Sequence, residues 1–148
     1  MVTEQIDIII IKGAPGTGKS QTAKSLAVSF PKGVRLEIDN LRSMIISVDW
    51  TNQTEHQNIL NLSTNLVVNF LQLGFKPIIV IDTFSGTKLN NYLDSLYSLK
   101  SNVAIRVFGL YVIEEELKKR IESRHSSEFK NFSICRKLNQ DTLKYKHE

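Results

Sequence analysis

Gly13-Ala14-Pro15-Gly16-Thr17-Gly18-Lys19-Ser20 is the stretch on which the reading of this chain turns. It satisfies the pattern G-x-x-x-x-G-K-[ST] without a mismatch. Each position has a physical task. The glycines let the backbone curl until successive N–H groups point inward at phosphate oxygens. A helix opening near Lys19 adds the positive end of its dipole. Lys19 is expected to bridge β- and γ-phosphates and Ser20 to ligate Mg²⁺, with Thr22, two residues on, also expected at the nucleotide. The flanks fit: Ile6–Ile11 reads as a buried strand, and Ser20–Phe30 carries Ala23, Leu26, Ala27 and Phe30 at helical spacing, stopped by Pro31 and Gly33.

Working outward, strands and helices alternate. Val34, Leu36 and Ile38 alternate as a second strand, and Leu41–Val48 reads as a short helix. A stripe of Ile59, Leu62, Leu66, Phe70 and Leu73 marks a helix over Glu55–Leu73, closed by Gly74. Ile78–Ile81 is a third strand, Leu89–Leu99 a helix, Val103–Val112 a fourth strand, Glu114–Arg124 a charged helix and Phe132–Tyr145 a last one. This order predicts an α/β three-layer sandwich with a mostly parallel sheet, the P-loop containing nucleoside triphosphate hydrolase fold, as one domain over residues 1–148. Ligands of such sheets bind beyond the carboxyl ends of the strands.

Composition narrows the classes. A chain of 148 residues is long enough for a core without staples, and 41% hydrophobic with 23% charged is ordinary for a globular protein. Its longest apolar runs, Ile8–Ile11 among them, are far short of the roughly 20 residues that span a bilayer. No membrane partner is expected. The start lacks the basic and apolar regions of a signal peptide, and a single cysteine, Cys135, fits a reducing compartment, so a cytoplasmic location is expected. Three histidines and one cysteine give no zinc spacing. The whole +4 excess lies in residues 100–148, which suits a polyanion, although an excess this small also fits a solvated surface.

Acids stand at two further strand ends. Asp39, in Asp39-Asn40-Leu41-Arg42, has two readings: a base for an attacking hydroxyl, or the N-cap of the following helix. Arg42, one turn on, reads as a clamp on a substrate phosphate or as a partner that holds Asp39. Asp82 follows four apolar residues, as an acid that orients magnesium or its waters does. Arg120 and Arg124 share a helix face and read as caps over ATP phosphates; a solvated face, with Glu116 pairing Arg120, is the alternative. Trp50 and His56 read as packing or surface residues without a role.

These segments, in this order, resemble the kinase domain of phage-type 5′-polynucleotide kinases, within the group that includes zeta toxins and chloramphenicol phosphotransferase. Asp82-Thr83, Phe108 and the run from Glu116 to Arg124 share in the likeness. The resemblance implies Asp39 as general base, Arg42 as a ligand of the acceptor phosphate, and Arg120 and Arg124 on a lid at about residues 114–132. Two positions depart from the family: Asn40 stands where a second acid is frequent, and Phe84 where an Asn is frequent. The expectation is an ATP- and Mg²⁺-dependent kinase acting on a polynucleotide 5′-hydroxyl. A kinase of nucleosides, sugars or antibiotics is the alternative, and a regulatory ATPase without an acceptor is a third reading that the Asp39/Arg42 pair argues against.

Overall fold

The computed structural model describes residues 5–125 and 128–144. Four strands form a wholly parallel sheet: β1 (Ile8–Gly13), β2 (Val34–Glu37), β3 (Ile78–Asp82) and β4 (Ile105–Leu110), in the order β2-β3-β1-β4. Among the described residues, six helices run between and after them: α1 (Lys19–Ala27), α2 (Ile38–Arg42), α3 (Gln53–Gln72), α4 (Lys88–Leu99), α5 (Glu114–Glu122) and α6 (Phe132–Lys144). The last expected helical residue, Tyr145, lies outside the described residues.

Strand alternation divides the core in two. Ile8, Ile10, Leu36, Ile78 and Val80 pack with Leu60 and Val67 of α3 and Leu89, Tyr92 and Leu96 of α4. Ile9, Ile11, Ile79 and Ile81 face the other way and pack with Ala23 of α1. Each fully buried aliphatic contributes about 1.5–3 kcal/mol, so β1 and β3, apolar on both faces, dominate the core. That is why they read as continuous apolar runs rather than alternating ones. Helices α5 and α6 form a third cluster, Leu117, Ile121 and Cys135.

The boundaries shift in informative places. β2 ends one residue early, because Ile38 turns into α2 and is fully buried there. The short helix expected over Leu41–Val48 instead begins at Ile38 and ends at Arg42. Asp39 therefore lies inside the first turn of α2, and Glu37 holds the cap position. The strand expected over Val103–Val112 keeps only its centre.

The chain leaves β1 to form β2 at one edge, returns to β3, then crosses to β4 on the other side of β1. The connections diverge between β1 and β3. In open α/β sheets a crevice opens at this switch point, beyond the strand ends.

Candidate active site

The loop after β1 is a backbone cradle. Gly16 and Gly18 have φ of 87° and 92°, values an L side chain rarely adopts. Thr17 donates from its hydroxyl to the Ala14 carbonyl at 2.7 Å and from its N–H to the same oxygen at 3.3 Å. Gly13 ends β1, where a Cβ would come within 2.8 Å of the Leu110 carbonyl. A Cβ on Gly16 would lie 2.8 Å from Ile121 Cδ1, so α5 packs directly onto this loop.

Lys19 opens α1 and reaches back to the Ala14 carbonyl, donating at 2.9 Å. Enclosure lowers its pKa to about 8, partly offset by the negative charges of Asp82 and Asp39. Ser20 and Thr22 are exposed on the first turn of α1 and line, with Pro15, Gly16, Thr17, Gly18 and Lys19, an open cleft of about 820 Å³. Ala14 lies fully buried beneath.

Across the cleft stand the two acids. Asp82 ends β3, 5% exposed, and accepts from the Phe84 N–H on Oδ2 at 3.1 Å. Asp39 lies at the mouth, in the first turn of α2. Partial desolvation, then the neighbouring Asp82 charge, raises its pKa, against the pull of Lys19, His56 and Arg42. The structure thus brings Lys19, Asp39 and Asp82 together around one opening, from three strand ends.

The donors that face the opening suit a hard cation. No group of three or more His, Cys, Asp or Glu side chains among the described residues could hold a metal ion by itself. Magnesium, which keeps several waters and leans on substrate phosphates, fits one hydroxyl (Ser20) and one nearby carboxylate (Asp82) better than a protein cage.

Arg120 and Arg124 both line the cleft. Arg120 pairs with Glu116 at 3.1 Å, as a solvated helix face would have it, and also directs Nη1 to the Gly16 carbonyl of the loop at 3.5 Å. Arg124 pairs with Glu128 at 3.0 Å, while its buried Nη1 has no hydrogen-bond partner among the described residues. Its charge contributes to the lowering at Lys19.

Arg42 is placed differently from the expected position at an acceptor phosphate. It is 4% exposed and does not line the cleft. Its Nη2 donates to the carbonyls of Asp49 at 2.8 Å and Asn52 at 3.0 Å, its Nε lies 3.6 Å from Glu55, and its guanidinium sits 5.1 Å from the Trp50 ring centroid. The reason is local. The segment between α2 and α3 turns back on itself, and its carbonyls need a donor. Trp50, half exposed, is stacked on this brace.

His56, read from sequence as a packing or surface residue without a role, lies 3.4 Å from Asp82 through Nε2. No local pattern signals this, since the contact joins the first turn of α3 to the end of β3.

A family model described as AAA domain matches residues 8–142. None of the curated proteins compared with the chain matches it. Among solved structures, a chain of the Pnkp1/Rnl/Hen1 RNA repair complex is similar with a TM-score of 0.76 at 22% identity, over 97% of this chain and 46% of that one. This chain thus spans about half the length of that relative. The Deinococcus radiodurans tunicamycin resistance protein is similar with a TM-score of 0.69 at 20% identity, over 94% of this chain and 81% of that one. A gluconokinase from Sinorhizobium meliloti 1021 gives 0.61 at 20%, over 96% and 75%. At such identities the likeness is one of fold, a P-loop kinase-like α/β domain.

Proposed function

We propose that this chain, which belongs to the AAA domain family, is an ATP-dependent kinase that transfers the γ-phosphate to a polynucleotide 5′-hydroxyl. The observation that carries the kinase reading is the convergence of Lys19, Asp39 and Asp82 on one cleft. A nucleotide switch needs the cradle and Asp82; it has no use for a second acid with a raised pKa at the mouth.

The residues divide the work. Backbone N–H groups of the loop and the ammonium of Lys19 hold the β- and γ-phosphates. Ser20 and Asp82 would hold Mg²⁺, which supplies charge neutralisation on the transferred group. Asp39 accepts the proton of the attacking hydroxyl. Its raised pKa moves it toward neutrality, where a base works best. Arg120 and Arg124 stabilise charge that develops as the phosphoryl group moves. Arg42 keeps α2, and with it Asp39, against the first turn of α3.

Likeness to a chain of an RNA repair complex and the basic final third of the sequence support the polynucleotide acceptor. The small-molecule reading draws on the gluconokinase and tunicamycin resistance structures, and on Arg42 being spent on its own loop. A transfer assay with labelled ATP against 5′-hydroxyl oligonucleotides, nucleosides, sugars and an antibiotic panel separates them. Label on oligonucleotides above all others is the expected result. Preferential label on a small alcohol would replace the acceptor, and label on none would remove the kinase reading.

A further inference from the structure

His56 is 8% exposed and belongs to the first turn of α3. Its Nδ1 lies 3.1 Å from the Nζ of Lys88, the first residue of α4. An ammonium has donors only, so Nδ1 accepts and the ring proton stands on Nε2. Nε2 is buried, has no hydrogen-bond partner of good geometry among the described residues, and lies 3.4 Å from Oδ2 of Asp82. A buried donor left unmatched is costly, and the nearest charge able to relieve it is that carboxylate. Lys88 is itself fixed, donating at 2.7 Å to Oε1 of Gln53 on α3.

Oδ2 of Asp82 therefore accepts from the Phe84 N–H and has the imidazole Nε2 3.4 Å away, both on the protein side. Both address the same oxygen, which leaves Oδ1 to serve the cleft. A histidine present only to fill space would need neither Lys88 behind it nor an acid in front.

We infer that His56, held by Lys88, is a positioning residue that orients Asp82 toward the water shell of a nucleotide-bound divalent cation. This rests on the reading of Asp82 as the acid that serves Mg²⁺. Outer groups that orient such ligands typically change metal affinity by roughly 10–100-fold. The role is separable from catalysis, because it acts on how strongly Mg²⁺ enhances nucleotide binding.

The test is calorimetry of ADP binding, with saturating Mg²⁺ and with EDTA, on wild type, His56→Leu, His56→Gln, Lys88→Met and Asp82→Asn, with thermal melts of each. His56→Leu should lose roughly tenfold or more of the Mg²⁺ enhancement while its affinity in EDTA stays at the wild-type value. His56→Gln, whose amide N–H reaches a similar point, should recover much of that loss. Lys88→Met should weaken the enhancement to a lesser degree, and it serves in place of His56→Leu should the latter melt far below wild type. Wild-type enhancement in the His56 and Lys88 variants, with the enhancement lost in Asp82→Asn, overturns the inference. Wild-type enhancement in Asp82→Asn overturns the reading of Asp82 itself.

Discussion

Lys19 holds a positive charge in a place that water reaches poorly, and the fold bears that cost before any phosphate arrives. Its depressed pKa, about 8 against 10.5, sets the sign. Its contribution to stability is present above pH 10.5 and lost as pH falls through about 8, so the charged form weighs on the fold at neutral pH. Lys19→Met should therefore stabilise the ligand-free protein while abolishing nucleotide binding. In urea titrations the advantage of the mutant should shrink by about 2 kcal/mol between pH 7.5 and 9.5. A mutant that melts like wild type at both pH values would mean that the ammonium is well solvated. Asp39 carries the opposite shift. Asp39→Asn should slow transfer by roughly 10²–10⁴-fold, leaving ATP affinity nearly intact. The acid limb of the wild-type rate profile should lie above the ordinary carboxylate range and vanish in the mutant. Transfer by Asp39→Asn at the wild-type rate would exclude the acid as a base.

At the scale of elements, the first turn of α3 does more than begin a helix. Asn52 caps it, accepting from the Glu55 N–H at 2.9 Å, and through Asn52, Glu55 and His56 it reaches both Arg42 on α2 and Asp82 on β3. Arg42→Met would leave the Asp49 and Asn52 carbonyls to find water, at about 1–2 kcal/mol of stability. Trp50 is the only tryptophan and sits on that guanidinium, so its emission should shift in the mutant. A mutant with unchanged emission and unfolding midpoint would show that the brace contributes nothing. This region also marks the limit of what the sequence discloses. The cradle and the existence of α3 are signalled by residues adjacent in the chain and stand where expected, whereas the helix turns Leu60 and Val67 to the core and leaves Leu62 and Leu73 of the expected stripe exposed. Arg42 and His56 take their partners from elsewhere in the fold: Asn52 lies ten positions on, and Lys88 thirty-two. Neither pair consists of neighbours on one helix face or one strand, so the residues alone leave Arg42 open between a phosphate clamp and a partner of Asp39, and give His56 no role. The early start of α2 escaped for a related reason. Ile38 alternates with Leu36, but it is burial by the core that decides where the strand stops.

The whole molecule combines a sheet that is apolar on both faces with a basic final third. None of its described helices is long and apolar enough to cross a membrane. If the acceptor is a polynucleotide, that charge should be felt at the scale of the reaction. For two phosphate contacts on a single strand, the KM for an oligonucleotide should rise about sevenfold from 50 to 200 mM salt. The KM for ATP should rise much less, since the cradle holds it largely through backbone groups. An oligonucleotide KM indifferent to salt would favour an uncharged alcohol.

The strand order carries a further consequence, for how the chain comes into being. β1 is made first, yet both of its neighbours, β3 and β4, are made much later: Ile8 pairs with Ile78 and with Ile105. On a ribosome adding about 5–20 residues each second, Ile8–Ile11 must wait several seconds or more for any strand to cover it. During that interval the most apolar segment of the protein is a nascent strand with both edges open. Such segments are the ones that pair with the wrong partner. The arrangement that sets the cradle at the centre of the finished sheet also makes its strand the last to be enclosed, and the growing chain a natural client for chaperones that hold extended apolar segments.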